Sequence, residues 1–329
     1  MVTLFQYTLA ISVPLVLLWA TYRLVLARQK RFTLNRIVLI GIYVVSLILY
    51  PAVRSLVPVT GSAGRFVGSG NAAFHGIAGT LAAIWCIGAV VCLVMTAAEV
   101  SRIVIILSRA TRTEVMGTEV YVTRDRRVTP FSFGRAIVLN EADPIGDSRA
   151  ILMHEAAHRS HLHILDMILA QTVSILCWYN PVSWLLRSEL TTVHEFQADA
   201  AVLRTGCDPR AYQMILVGSA ARRRFPSVIE HFDYSGLRRR ISMMNRPDSD
   251  RRGISAYLLL PLALVAAVWT VSLPAVASVL SPTRPPLRPM HIYVEGHEVP
   301  YDRLNEIPSS DIKSIIVDRQ KDRIDIHTK

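Results

Sequence analysis

Four stretches of this chain, 1–22, 37–53, 66–98 and 253–283, carry no charged residue, and nothing else in the sequence restricts its fold as much. A helix needs about 20 mostly apolar residues to cross about 30 Å of hydrocarbon, where lipid offers no partner to an open backbone group. The stretches predict helical spans near 4–26, 37–57, 76–97 and 256–280. A mean hydropathy of +0.34 with 19% charged residues agrees, being high for a soluble chain. The first stretch reads as a span and not as a cleavable signal, because its charges, Arg23, Arg28, Lys30 and Arg31, follow the apolar run instead of preceding it.

Lys and Arg favour the cytoplasmic side of short loops. The loop after span one holds the four residues just named and Arg36, whereas the loop after span two, beyond Arg54, holds only Arg65. This predicts an N-terminus outside, residues 98–252 inside and residues 282–329 outside, in a membrane crossed several times. Arg238, Arg239, Arg240, Arg251 and Arg252, just before span four, fit the same orientation. The net charge of +11 does not imply nucleic acid. Residues 98–252 hold 21 Arg and no Lys against 17 acidic residues, and many of these Arg flank spans. Attraction to an anionic bilayer accounts for them, with no direct nucleic-acid partner. Cys86, Cys92, Cys177 and Cys207 form no CxxC pair and suggest neither a disulfide framework nor a thiolate site.

Residues 1–97 thus read as three spans, 98–252 as the sizeable non-spanning domain, 253–281 as the fourth span and 282–329 as a tail. The domain opens with two or three strands in "EVYVT", "TPFSF" and "RAIVLN", separated by the charged turn "RDRR". Asp147 or Ser148 is placed to cap a helix through "RAILMHEAAHRSHL". An apolar run broken at Asn180-Pro181 follows, then a helix ending near Gly206 and another beginning near Pro209. The tail is a proline-rich spacer, a hairpin across Gly296, and "SSDIKSIIVDRQ" as a helical turn leading into a strand.

"HEAAHRSHLHILD" begins at His154. Residues four apart share a helical face, so His154 and His158 can present imidazole nitrogens to one Zn²⁺ ion. Glu155, about 100° round the helix, is positioned to act as a base without binding metal. The metzincin arrangement fails, because His161 stands at its glycine position and Ile164 at its last histidine position. A gluzincin arrangement is available: "HEFQAD" offers Glu195 as third ligand, with Asp199 one turn further to hold a ligand ring N–H. His161 is assigned to solvent or an interface. His163 is paired with Asp166 at i,i+3, unless Asp166 orients another neighbour, and His194 points away from the metal. Residues 164–186 are long enough to cross a bilayer, but one crossing would carry Glu195 about 30 Å from the histidines. They are therefore read as a buried helix plus turn.

Together with "TPFSFGRAIVLN", "CWYNPVSWLLRSE" and "LRRRISMMNRP", these two helix motifs resemble the bacterial BlaR/MecR-type integral-membrane zinc metallopeptidases over roughly residues 1–255. The resemblance implies a mainly α membrane protein with four transmembrane helices, an inserted cytoplasmic α+β gluzincin domain and, here, a small α/β external tail. It implies His154, His158 and Glu195 as zinc ligands, Glu155 as general base and Asp199 behind the ligands. It also implies an endopeptidase of a signalling system whose substrate is a cytoplasmic transcriptional repressor, with self-cleavage near Arg222–Arg224 as a further option. Two other functions stay open: a housekeeping membrane protease, and a non-proteolytic receptor or energy-transducing partner whose tail binds an envelope protein. The tail departs from the antibiotic sensors. Ser310 and Lys313 match S-x-x-K, but no S-D-N or K-T-G follows, and the tail is similar instead to the short plug-like element of outer-membrane receptors. "RAIVLN" is either a site of substrate strand addition or a structural edge strand. Tyr212 and His231 qualify as oxyanion donors by residue type alone.

Overall fold

The computed structural model describes residues 2–56, 72–125, 127–141, 145–222, 227–247, 257–272, 291–294, 297–298, 312–318 and 323–328. Arg65, the loop at 223–226 and Ser310 lie outside them, as do the side chains of Arg222 and His231. The chain forms two compact units, Met1–Ser281 and Pro282–Lys329.

Among the described residues, three helices are long and apolar enough to cross a membrane. α1 (Val2–Thr21) continues through a π-helical turn at Tyr22–Leu26, α2 spans Phe32–Leu56, and α3 spans Ala72–Arg109. At about 1.5 Å per residue the 38 residues of α3 measure about 57 Å, well beyond a hydrocarbon core. Residues 98–109, expected at the start of the domain, are thus the end of this helix. Ile84, Ile87, Val90, Leu93 and Val94 on α3 are exposed, as side chains bathed in lipid would be. In the fourth apolar stretch the described helix, α9 (Leu259–Ser272), is shorter, and it packs against α1 and α2.

Four strands follow α3: β1 (Thr111–Val115), β2 (Thr118–Thr123), β3 (Phe131–Phe133) and β4 (Ala136–Asn140), in the sheet order β1-β2-β4-β3. The polar β1 was not legible as a strand. It pairs with β2 through a two-residue turn at Met116 (φ 52°) and Gly117 (φ 75°), where two positive φ values match the right-handed twist of a hairpin. β4, which contains the expected "AIVLN", runs parallel to β2 and antiparallel to β3, so both of its edges are occupied. It is neither an edge strand nor open to strand addition. Among the described residues the free edges of this sheet are those of β1 and β3, and it is β3 that borders the histidine-bearing helix.

Val120, Ile137 and Leu139 of the sheet pack on Leu152 of α4 (Ile145–Ser160). Since α4 starts at Ile145, Asp147 and Ser148 fall in its first turn and not at the residue before it. At Leu162 (φ 54°) the chain turns into α5 (His163–Leu176), and a turn at 177–180 leads into α6 (Pro181–Arg204). Asn180 caps α6, its Oδ1 accepting from the Val182 N–H at 2.9 Å, and Pro181 follows at a position where a missing N–H costs nothing. The apolar run is therefore a helix plus turn, as expected from the distance argument. α5 and α6 share a core with α1 and α2: Ala170, Val173, Leu186 and Leu190 meet Ile11, Leu15, Leu39 and Tyr43.

A helix leaves its last carbonyls unpaired, which lipid penalises. At this elbow the indole of Trp85 donates to the Leu176 carbonyl (2.9 Å), Trp178 to the Trp85 carbonyl (3.1 Å) and Trp184 to the Trp178 carbonyl (3.0 Å). α7 (Pro209–Arg222) and α8 (Ser227–Met244) then pack on each other, with α8 also against α6.

In the second unit, β5 (His291–Val294) and β6 (His297–Glu298) form the expected hairpin. β7 (Ile312–Asp318) is the strand expected in "SSDIKSIIVDRQ", the start of the helical turn expected before it lies outside the described residues, and β8 (Arg323–Thr328) lies between β7 and β5. Lys313 thus sits on a strand, not on a helical turn that would bring residues three apart to one face.

Candidate metal centre

Two helices in contact build the site. α4 contributes His154, Glu155 and His158, while α6 contributes Glu195 and Asp199. The 3.6-residue period puts His154 over His158, and the α5–α6 reversal returns Glu195 to them. His154 Nε2 lies 3.2 Å from His158 Nε2 and 3.4 Å from Glu195 Oε2, and His158 Nε2 lies 3.4 Å from Glu195 Oε1. These separations pass a simple test. Ligand atoms about 2.0–2.1 Å from a tetrahedral ion stand about 3.3–3.4 Å from one another. The two imidazoles and one carboxylate thus converge at metal-binding distance.

Glu155 is buried beside this group and lines the same cavity, of about 280 Å³, with Phe131, Ser132, Tyr212 and Arg240. Burial pushes its carboxyl above the usual range; the charge of His154 and a hydrogen bond with Ser132 of β3 counteract only part of that. A second cavity, of about 180 Å³, has Ser132, His158 and Glu195 in its lining too, so a cleft follows β3 across the histidine pair.

Asp199 is placed behind His154, but Tyr212 shares the contact. The Tyr212 hydroxyl lies 2.9 Å from His154 Nδ1 and donates to Asp199 Oδ1 at 2.8 Å, whereas Asp199 Oδ1 is 3.4 Å from that nitrogen. With its proton spent on Asp199, the hydroxyl accepts from His154 Nδ1–H and leaves Nε2 for a metal. Tyr212 therefore fixes the His154 ring, and its own proton is engaged by Asp199.

Arg240 is the residue that sequence reasoning missed, having been counted among charges that orient the chain. Its Nη1 lies 2.9 Å from Glu195 Oε2, its Nε 2.9 Å from Asp199 Oδ2, and its Nη2 donates to Asp199 Oδ1. Its neighbour Arg239 turns instead to the buried Glu189, at 2.7 Å. The signal was the company of three Arg at successive 100° steps on α8, which cannot all face one environment.

These contacts set the protonation pattern of the metal-free site. Burial alone would lower the His154 pKa, but hydrogen bonds to Asp199 and Glu195, with the charge of Glu195, raise it to about 9. His158 is lowered to about 4, chiefly by burial. Burial favours neutral forms of Glu195 and Asp199, yet hydrogen bonding to His154 and the charge of Arg240 outweigh it, and both carboxylates are held below their usual range.

Among the described residues, His161, His163 and His194 do not join the donor group. His161 Nδ1 donates to the Ala157 carbonyl at 2.8 Å. The expected His163–Asp166 pair does not form: Asp166 takes His194 Nε2 at 2.7 Å and Arg36 Nε, from α2, at 2.6 Å. With Asp166 held by these two partners, His163 turns instead to His158.

Compared with known proteins, the chain matches no family model and no curated protein.

Proposed function

We propose that this chain is a membrane-embedded zinc endopeptidase of the BlaR/MecR-type, acting in a signalling system. The observation that carries the reading is the convergence of His154, His158 and Glu195 with a buried, proton-accepting Glu155 on one cleft. A purely structural site would not require a base there. A zinc ion on these ligands supplies Lewis acidity, lowering the pKa of water and polarising a carbonyl.

The residues do the rest. Glu155, its carboxyl pushed above the usual range by burial, accepts a proton from the attacking water and returns it to the leaving amine. Ser132 steadies its carboxylate. Tyr212 and Asp199 hold His154 in one tautomer, and Arg240 keeps Glu195 ionised. A substrate segment lies extended along the free edge of β3, which borders the cleft. In this reading the apolar stretch around α9 belongs to a fourth span, and the charge distribution supports a cleft on the cytoplasmic side of a bacterial inner membrane. The substrate is then a cytoplasmic protein, in the first instance a transcriptional repressor.

The test is Glu155→Gln in the purified full-length chain. It should keep one bound zinc per chain and lose cleavage of a co-purified repressor by roughly 10²–10⁴-fold. Undiminished cleavage by the variant would overturn the mechanism, and a wild-type chain that binds no zinc would overturn the metal assignment.

A further inference from the structure

On a continuous helix His158 and His163, five residues apart, would point about 140° away from each other. The break at Leu162, whose φ of 54° turns the chain between α4 and α5, brings them together instead: their Nδ1 atoms are 2.8 Å apart. On the far side of the His163 ring, Nε2 lies 3.2 Å from Oε1 of Gln197, a buried residue two positions past Glu195 on α6. A carbonyl oxygen only accepts, so the His163 proton sits on Nε2 and its Nδ1 offers a lone pair. His158 must then donate from Nδ1, and its free lone pair is on Nε2, the atom 3.4 Å from Glu195 and 3.2 Å from His154.

We propose that His163, anchored by Gln197, is the positioning residue that fixes His158 in the tautomer able to bind the metal. The inference rests on the metal reading above and adds to it an assignment for the second histidine ligand, which Asp199 and Tyr212 do not reach. The His163 ring is itself held: it stacks on His194, centroids 3.9 Å apart and planes 10° from parallel. His194 is pinned by Asp166, which Arg36 of the second membrane helix holds in turn. A partner locked from both sides is what a ligand needs to keep its ring orientation without paying entropy at each binding event.

Asn and Leu have nearly the same shape, but only Asn can put an acceptor where His163 Nδ1 now stands. In the full-length chain stripped of metal, Zn²⁺ affinity is measured by competition with a chelating indicator for His163→Asn and His163→Leu. The Asn variant should bind near wild type and the Leu variant roughly 10–100-fold more weakly, at matched melting temperatures of the metal-free forms. Equal affinities would overturn the proposal, because a role in packing or stacking treats the two alike. Should His163→Leu fail to fold, Gln197→Glu against Gln197→Leu makes the same comparison one step back: Glu keeps the acceptor and should hold Zn²⁺ more tightly, and equality again overturns it. A wild-type chain that binds no Zn²⁺ overturns the metal reading itself, a result distinct from equal binding by the paired variants.

Discussion

Replacing Asp199 by Asn removes one charge from a place where the chain can hardly do without it. The carboxylate accepts from Arg240 Nε at 2.9 Å, from Arg240 Nη2 and from the Tyr212 hydroxyl at 2.8 Å. Its side chain is 2% exposed and that of Arg240 16%, so solvent screens the pair little. An Asn amide keeps one acceptor but turns two N–H groups toward donors, leaving Arg240 balanced by Glu195 alone. Breaking a buried charge pair from one side costs about 3–5 kcal/mol. At roughly 2–4 °C per kcal/mol, the melting temperature should fall by on the order of 10 °C. The sign with pH follows from the depressed pKa of Asp199. Its contribution is present above the unfolded value of 3.8 and lost as pH falls through the folded one, so wild type and variant should converge in acid. The assay is thermal unfolding in detergent followed by tryptophan fluorescence. Adding Arg240→Met removes the stranded cation, and the double variant should be more stable than the sum of the single losses by at least about 1 kcal/mol. A drop below about 2 °C for Asp199→Asn, or strict additivity in the pair, would refute the reasoning.

Two further outcomes test other parts of the molecule. Because His154 titrates near 9 in the metal-free chain, an entering ion must displace its proton at neutral pH, while His158, near 4, has none to lose. Apparent Zn²⁺ affinity should therefore rise about tenfold per pH unit from 6 to 8, and a flat profile from chelator competition would contradict the assigned pattern. At the elbow, a Cβ on Gly88 of α3 would stand 2.1 Å from Cε2 of Trp178, so the indole must give way and with it the hydrogen bond to the Trp85 carbonyl. Gly88→Ala should cost about 1–3 kcal/mol, and Trp178→Ala should relieve the clash; a Gly88→Ala chain that melts with wild type would show the contact to be absent.

Much of the centre was legible because its geometry is local or rests on length. Four-residue spacing puts His154 over His158 on any helix, and Asn180-Pro181 announces both the end of one helix and the cap of the next. A single crossing would hold Glu195 a bilayer's length from His154 and His158, so a site shared by the three excludes a fifth span. Other features left no trace in local patterning. β1 is solvated on both faces and carries no alternation to read. β4 looks like an edge strand until β2 and β3 are found on either side of it, a fact about partners far along the chain.

The sequence by itself determined which residues could touch a metal and which stretches could not rest in water, since periodicity and apolar length act over one helix at a time. Tertiary packing decided what stands behind those ligands. Tyr212 reaches His154 across 58 residues, Arg240 reaches Asp199 across 41, and Gln197 reaches His163 across 34. Hydrogen bonds and buried charges are set by distances of a few ångströms, and only the folding of α4, α6, α7 and α8 against one another brings such groups that close.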